Sequence, residues 1–157
     1  MNLKTVARQM RKTADQIESM DAVGVAIYPH KITTSLGARQ RFFTWAVSKL
    51  IEHAYSHGYA LTVGDAYRDP RVFGAFGETK KGSYSAKRSV HKVCLAIDLN
   101  LFKQYDGGKW KYLTSSESHK PLGAFWVELG KANAAPLRWG GDFGDGNHYS
   151  LEYDGAR

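Results

Sequence analysis

The sequence predicts an α+β domain in which an antiparallel sheet is flanked by helices. Apolar residues recur at helical spacing at 35–57 and 121–129, whereas 93–101 and 148–153 alternate with the period of a strand. An Asp-Gly-Gly reversal at 106–108 predicts a hairpin, which makes neighbouring strands antiparallel. The chain has 157 residues, of which 43% are hydrophobic and 24% charged, so it is long enough for one core and too apolar to be disordered.

An N-terminal extension, residues 1–30, precedes the domain itself, which we place at 31–157. The extension begins with a basic amphipathic helix at 3–20, for which docking on the body is favoured over a role as a surface-binding arm. A short apolar segment at 23–28 predicts a strand.

The first half of the domain is predicted to form a helix, a strand and a long loop. The helix begins after the capping residue Ser35 and stops at Gly58. The segment YALTV at 59–63 predicts a strand. The loop at 68–88 is longer than most connections in compact domains, and such loops are usually functional or mobile.

The second half is predicted to form a hairpin, a helix and a last strand. The first strand of the hairpin starts at Val93, and the second lies at 109–113. A helix follows Pro121, and the last strand starts at His148. One face of the first strand is apolar, and the other carries Cys94, Ala96, Asp98 and Asn100.

Charge and cysteine content narrow the classes of partner and compartment. Twenty-two Lys and Arg against fifteen Asp and Glu give a net charge of +7, which predicts a polyanionic partner: nucleic acid, acidic lipid or a wall polymer. The single cysteine excludes an intramolecular disulfide. No apolar run approaches the roughly 20 residues that span a bilayer, and no signal peptide is evident, so we expect synthesis in a cytoplasm.

Three residues have the types needed for a catalytic zinc site. His91 and Asp98 frame the strand at 93–101, and His148 opens the last strand. Two imidazoles and one carboxylate leave a fourth tetrahedral position for water. His91 and Asp98 can meet only if His91 lies on the loop that enters the strand and curls over its face.

Two further residues would complete a hydrolytic site. Asp145, three residues before His148, can accept a proton from water activated by the metal, and Arg68 can hold the oxyanion that forms at an amide carbonyl. Each also has a structural alternative: Asp145 in a turn, His148 as a surface histidine, and Arg68 paired with a neighbouring aspartate. Residue types and spacing alone leave both interpretations open, although an acid such as Asp98 in an apolar strand requires a partner.

The segment SVHKVCLAIDLNLF at 89–102 resembles the Ser-x-His-x6-Asp motif of zinc peptidases that cut the stem peptide of peptidoglycan. These are the D-alanyl-D-alanine carboxypeptidases of the vancomycin-resistance type and the bacteriophage L-alanyl-D-glutamate endolysins. The similarity covers roughly residues 36–153 and includes YALTVGDAYRDP, PLGAFWVELG and RWGGDF…GNHYSLEY in order. It implies the hedgehog/D,D-peptidase type of α+β fold.

The resemblance also implies roles for individual residues. The three candidate ligands match those of one zinc ion, Asp145 matches the general base, and Arg68 matches the arginine that stabilises the tetrahedral intermediate. Ser89 matches the motif serine, which implies a substrate contact.

Two positions depart from the family pattern. Cys94 stands where the family usually has glycine, and we expect a buried structural thiol there. Ser150 stands where the family often has an acid, and Glu152 on the same face is the candidate to supply the missing carboxylate behind the metal ligands.

The resulting hypothesis is a monomeric, phage-type L-alanyl-D-glutamate endopeptidase that acts on peptidoglycan after release from the host cytoplasm. Its positive charge would then attract it to the anionic cell envelope, with no nucleic acid partner and no transmembrane segment. A D,D-carboxypeptidase is the alternative within the family. More distant alternatives are a basic nucleic-acid-binding module and a zinc-binding structural protein without turnover.

Overall fold

One antiparallel sheet organises the computed structural model, which describes residues 24–105 and 107–157. Within those ranges the sheet has five strands: β1 (Tyr59–Val63), β2 (Ala96–Gln104), β3 (Trp110–Leu113), β4 (Leu137–Trp139) and β5 (His148–Leu151). Their order is β1-β2-β5-β4, and β3 pairs with β2. Because β1 occupies one edge of β2, β5 and β3 follow one another along its other edge.

Two long helices cover one face of this sheet. They are α1 (Leu36–Ser56) and α3 (Ser116–Ala132), while α2 (Pro70–Phe73) is a single turn in the long loop. Serine caps both long helices: Ser35 accepts a hydrogen bond from the Ala38 amide, and Ser115 accepts one from the Ser118 amide. Two 3₁₀ turns, Val90–Val93 and Gly140–Phe143, precede β2 and follow β4.

The core lies between the two helices and the sheet. Its largest fully buried side chain is Trp126 of α3, which packs edge-on against Phe43 of α1 and against Tyr149 of β5. The Trp126 Nε1–H donates to the carbonyls of Arg138 and Ser150, so β4 and β5 are tied to α3 as well as to each other. This packing leaves the opposite face of β2 and β5 for the candidate site.

The predicted α+β class is confirmed, since helices and an open antiparallel sheet form one core. Ser35 and β1 also lie where the sequence places them. The finer fold type and the boundary at residue 30 remain predictions, and the helix at 3–20 lies outside the described residues. None of the described helices is long and apolar enough to cross a membrane.

Four predicted boundaries differ from the structure. Residues 24–28 form no named strand: Ala26 is a single bridge residue, and the Asn133 side chain accepts from the Tyr28 amide and donates to the Ala26 carbonyl. The first hairpin strand starts at Ala96 rather than Val93, since the 3₁₀ turn occupies the positions before it. Helix α3 begins at Ser116, five residues before Pro121. The sequence predicts no strand at Leu137–Trp139, where the structure has β4.

Candidate metal centre

Three side chains converge where β2 and β5 pair. Asp98 and His148 are directly opposite each other across the two strands, so both project from the same face of the sheet. His91 comes from the 3₁₀ turn Val90–Val93 immediately before β2. The prediction that His91 approaches from outside the strand is therefore confirmed, and the structure brings all three predicted ligands together.

The spacing of the three ligand atoms suits a small tetrahedral cation. The Nδ1 atom of His148 lies 3.0 Å from Asp98 Oδ1 and 3.3 Å from His91 Nε2, and the third side of the triangle is 3.4 Å. Ligand atoms bonded to zinc at 2.0–2.1 Å in tetrahedral geometry are about 3.3 Å apart. A zinc ion therefore fits this donor set without rearrangement of the side chains.

The proton positions at the cluster also favour a cation. His91 Nδ1 lies 3.1 Å from the Ala66 carbonyl, which can only accept, so the proton of a neutral His91 imidazole is on Nδ1. Its Nε2 lone pair then faces the Asp98 carboxylate at 3.4 Å, which places two acceptors against each other. A metal ion between them removes this repulsion, and the Ala66 contact orients the ring for it.

The carboxylate at the centre of the cluster is held in its charged form. Partial burial alone would raise the pKa of Asp98, but hydrogen bonds and charge interactions with His148 and His91, when these imidazoles are protonated, bring that pKa well below its usual range. Asp98 is therefore available as an anionic ligand at every physiological pH.

Two polar atoms near the cluster are buried without a hydrogen-bond partner among the described residues. They are Nε2 of His148 and Oγ of Ser150.

A tight turn positions Asp145 beside His148. The Asp145 amide donates to the Gly140 carbonyl at 2.9 Å, and the His148 amide donates to the Asp145 carbonyl at 3.1 Å. Gly140 has no room for a side chain, since a Cβ there would lie 2.3 Å from the Asp145 carbonyl oxygen. Asp145 itself is exposed and has no ion pair among the described residues. Its carboxylate is therefore accessible from the solvent and unpaired among the described residues.

An open cleft of about 380 Å³ joins these residues to Arg68 and Ser89. The Arg68 Nε–H donates to Asp65 at 2.8 Å, and its Nη1 donates to Ser89 Oγ at 3.1 Å. The Arg68 amide donates to the His91 carbonyl, which fixes the loop against the 3₁₀ turn that carries this candidate ligand. The pairing with Asp65 and a place in the cleft thus coexist, so the structural and the functional interpretations of Arg68 are both compatible with the fold.

Two predicted positions lie apart from the cluster. The Glu152 carboxylate accepts two hydrogen bonds from Arg138 of β4, at 2.9 and 2.6 Å, and does not line the cleft. The expectation of a buried thiol is wrong, because Cys94 is exposed. Its φ of 53° at the end of the 3₁₀ turn is a left-handed conformation, which glycine adopts more readily than cysteine.

Residues that the sequence did not single out also line the cleft. They are Ala86, Arg88, Phe143, Gly155, Ala156 and Arg157. The dipeptide Asp154-Gly155 is a turn signal that predicts a reversal here, but no local pattern indicates where that reversal lies in the fold. A second cavity, of about 490 Å³, is lined by α1, by residues 24–29 and by Phe125 of α3, and it contains none of the predicted site residues.

Comparisons with protein-family models and with curated protein sequences found no match to this chain. The function is therefore argued from the geometry of the site together with the motifs in the sequence.

Proposed function

We propose that this protein is a zinc-dependent peptidase that hydrolyses the stem peptide of peptidoglycan between L-Ala and D-Glu. The observation that carries the proposal is the triangle of His91, Asp98 and His148, whose ligand atoms lie 3.0 to 3.4 Å apart beside an open cleft. The substrate class comes from the resemblance of the motifs, and the chemistry comes from the donor set.

The three ligands would hold one zinc ion through His91 Nε2, His148 Nδ1 and a carboxylate oxygen of Asp98. When bound, zinc polarises a carbonyl and lowers the pKa of water towards neutrality, which makes water a nucleophile near pH 7. Three protein ligands with an open position are typical of catalytic zinc sites rather than structural ones.

Asp145 is proposed as the proton carrier. Its carboxylate is exposed to the cleft and free of ion pairs among the described residues, so it can take a proton from the attacking water. The same carboxyl group then delivers that proton to the nitrogen of the leaving amine as the amide bond breaks. The turn from Gly140 fixes its distance from His148 throughout.

Arg68 and Ser89 are proposed to bind the substrate carbonyl and backbone. Arg68 is held by Asp65 and lines the cleft, so its remaining N–H groups can stabilise an oxyanion with little side-chain ordering. Ser89 is 8% exposed and accepts from Arg68, which leaves its hydroxyl proton for a substrate carbonyl.

The net charge of +7 suits a substrate embedded in an anionic envelope. The proposal places synthesis in the host cytoplasm and action at the wall, with the protein as a monomer. The aromatic and basic residues show no nucleic-acid-binding motif, so a nucleic-acid-binding module is not favoured.

Hydrolysis of purified peptidoglycan by an Asp145→Ala variant tests this proposal. Loss of the proton carrier should reduce hydrolysis by about 10²–10⁴-fold, while zinc stays bound because Asp145 is not a ligand. Asp142→Ala is the matched control: Asp142 is exposed, lies three residues earlier in the same turn region and does not line the cleft. Unchanged hydrolysis by Asp145→Ala would remove it from the mechanism, and release of free D-alanine by the wild type would favour the D,D-carboxypeptidase.

A further inference from the structure

One wall of the cleft is formed by a turn near the end of the described chain. Tyr153 and Ala156 pair through two backbone hydrogen bonds of 2.9 Å, and the residues between them, Asp154 and Gly155, have φ angles of 50° and 72°. Two consecutive positive φ angles are typical of the tight turn favoured by Asp-Gly. This turn reverses the chain and brings Arg157 to the cleft.

Side chains of the long loop at 68–88 anchor this turn. Arg88 donates to both the backbone carbonyl and the carboxylate of Asp154, and its guanidinium lies over the Phe76 ring. The Tyr153 ring packs edge-on against the same Phe76. The wall that presents Arg157 is therefore tied to the long loop at two points, Arg88 and Phe76.

Arg157 differs from the other two arginines that line the cleft. Arg68 is paired with Asp65, and Arg88 is paired with Asp154. Arg157 forms neither a hydrogen bond nor an ion pair with any described side chain, and its guanidinium lies over the Phe143 ring at 5.2 Å. The ring orients a guanidinium whose N–H donors are left for a ligand, and a planar fork of N–H donors suits a carboxylate.

The position of Arg157 sets its reach from the metal ligands. The Phe143 ring centroid lies 6.1 Å from that of His148, so Phe143 is a neighbour of both the Arg157 guanidinium and His148. An extended peptide advances about 3.3–3.6 Å per residue, so a group held by Arg157 belongs to a residue about one to three positions from the scissile bond.

We infer that Arg157, seated on Phe143, binds a free carboxylate of the substrate next to the scissile bond. This inference rests on the proposed function, in which the D-Glu residue offers such a group: its amine forms the bond to be cut, its γ-carboxyl continues the peptide, and its α-carboxylate remains free. Arg157 then selects D-Glu stems over stems in which this carboxylate is an amide.

Two synthetic stem peptides that differ only at this group test the inference. One contains D-Glu and the other D-isoglutamine. In Arg157→Gln the charged hydrogen bond to the carboxylate is lost, and we expect kcat/KM for the D-Glu peptide to decrease about tenfold. For the amide peptide, which lacks this carboxylate, we expect a change of less than about twofold. Arg157→Lys, which keeps the charge, should recover part of the preference for D-Glu.

The matched control is Arg71→Gln, which removes the same charge from an arginine that does not line the cleft. Calorimetry can also measure the binding of both peptides to proteins that carry Asp145→Ala in addition. This measurement is independent of turnover. Equal losses for the two peptides in Arg157→Gln, or no loss for either, would overturn the inference. If the wild type cleaves neither peptide, the proposed function fails, whereas the calorimetric preference for D-Glu still decides the role of Arg157.

Discussion

Gly140 offers the sharpest structural test of how the site is built. In Gly140→Ala, the added Cβ would lie 2.3 Å from the Asp145 carbonyl oxygen and 2.7 Å from the His148 Cβ, whereas ordinary contacts begin at 3.4 Å. Restoring contact distance therefore requires a shift of about 1 Å in the turn that carries Asp145, the proposed proton carrier, and His148, a proposed metal ligand. Displacements of this size at reacting groups cost about 100-fold in rate, and overpacking costs about 1–3 kcal/mol of stability.

Hydrolysis rate, zinc affinity and thermal stability should be measured on the same Gly140→Ala sample. We expect activity to fall by about 100-fold and zinc affinity to decrease, because both Asp145 and His148 are displaced. Gly144→Ala is the control: its φ of 87° makes alanine unfavourable, but no atom lies within 4 Å of the added Cβ. Activity of Gly140→Ala within twofold of the wild type would refute the assignment of the turn as the element that positions the site.

Three further predictions concern metal binding and stability. Asp98→Asn should weaken zinc binding by more than the roughly 10–100-fold typical of changes to the partners of metal ligands, as measured by competition with a chelator; equal affinity would remove Asp98 from the ligand set. Cys94→Gly should raise the free energy of unfolding by about 1 kcal/mol in urea, because it relieves a φ of 53°, whereas Cys94→Ala should give no such gain. Burial lowers the pKa of His119 in the folded protein below its ordinary value of 6.5. The unfolded chain therefore binds a proton at a higher pH than the folded chain does, so stability falls as the pH drops below about 6.5. His119→Gln should reduce this loss in thermal unfolding of the metal-free protein, and an unchanged pH dependence would contradict the assignment.

Local signals account for the parts of the fold that the sequence predicts well. Ser35 caps α1 through a side-chain hydrogen bond three residues away, and Gly58 has a φ of 75° that stops the helix. The sequence places the start of β2 too early, because the alternation of apolar residues reaches back to Val93, which is the last residue of the 3₁₀ turn Val90–Val93. It places the start of α3 too late, because Pro121 lies inside the helix and the capping residue is Ser115.

Long-range pairing decides which predicted site residues meet. Asp98 and His148 are 50 residues apart and become neighbours through the register of β2 and β5, as the shared motif implies. Alternation along the last segment places Glu152 on the face that carries His148, as the sequence predicts. Arg138 on the neighbouring strand binds the Glu152 carboxylate, however, and no pattern in the nearby sequence indicates that contact. The place of Arg157 likewise depends on the tertiary anchor between Arg88 and Asp154.

Mass spectrometry of the products from purified peptidoglycan tests the central claim most directly. We expect cleavage between L-Ala and D-Glu that stops when a chelator removes the metal and returns when zinc is added. Cleavage that survives complete removal of zinc, or the absence of any cut in the stem peptide by the zinc-loaded protein, would contradict it.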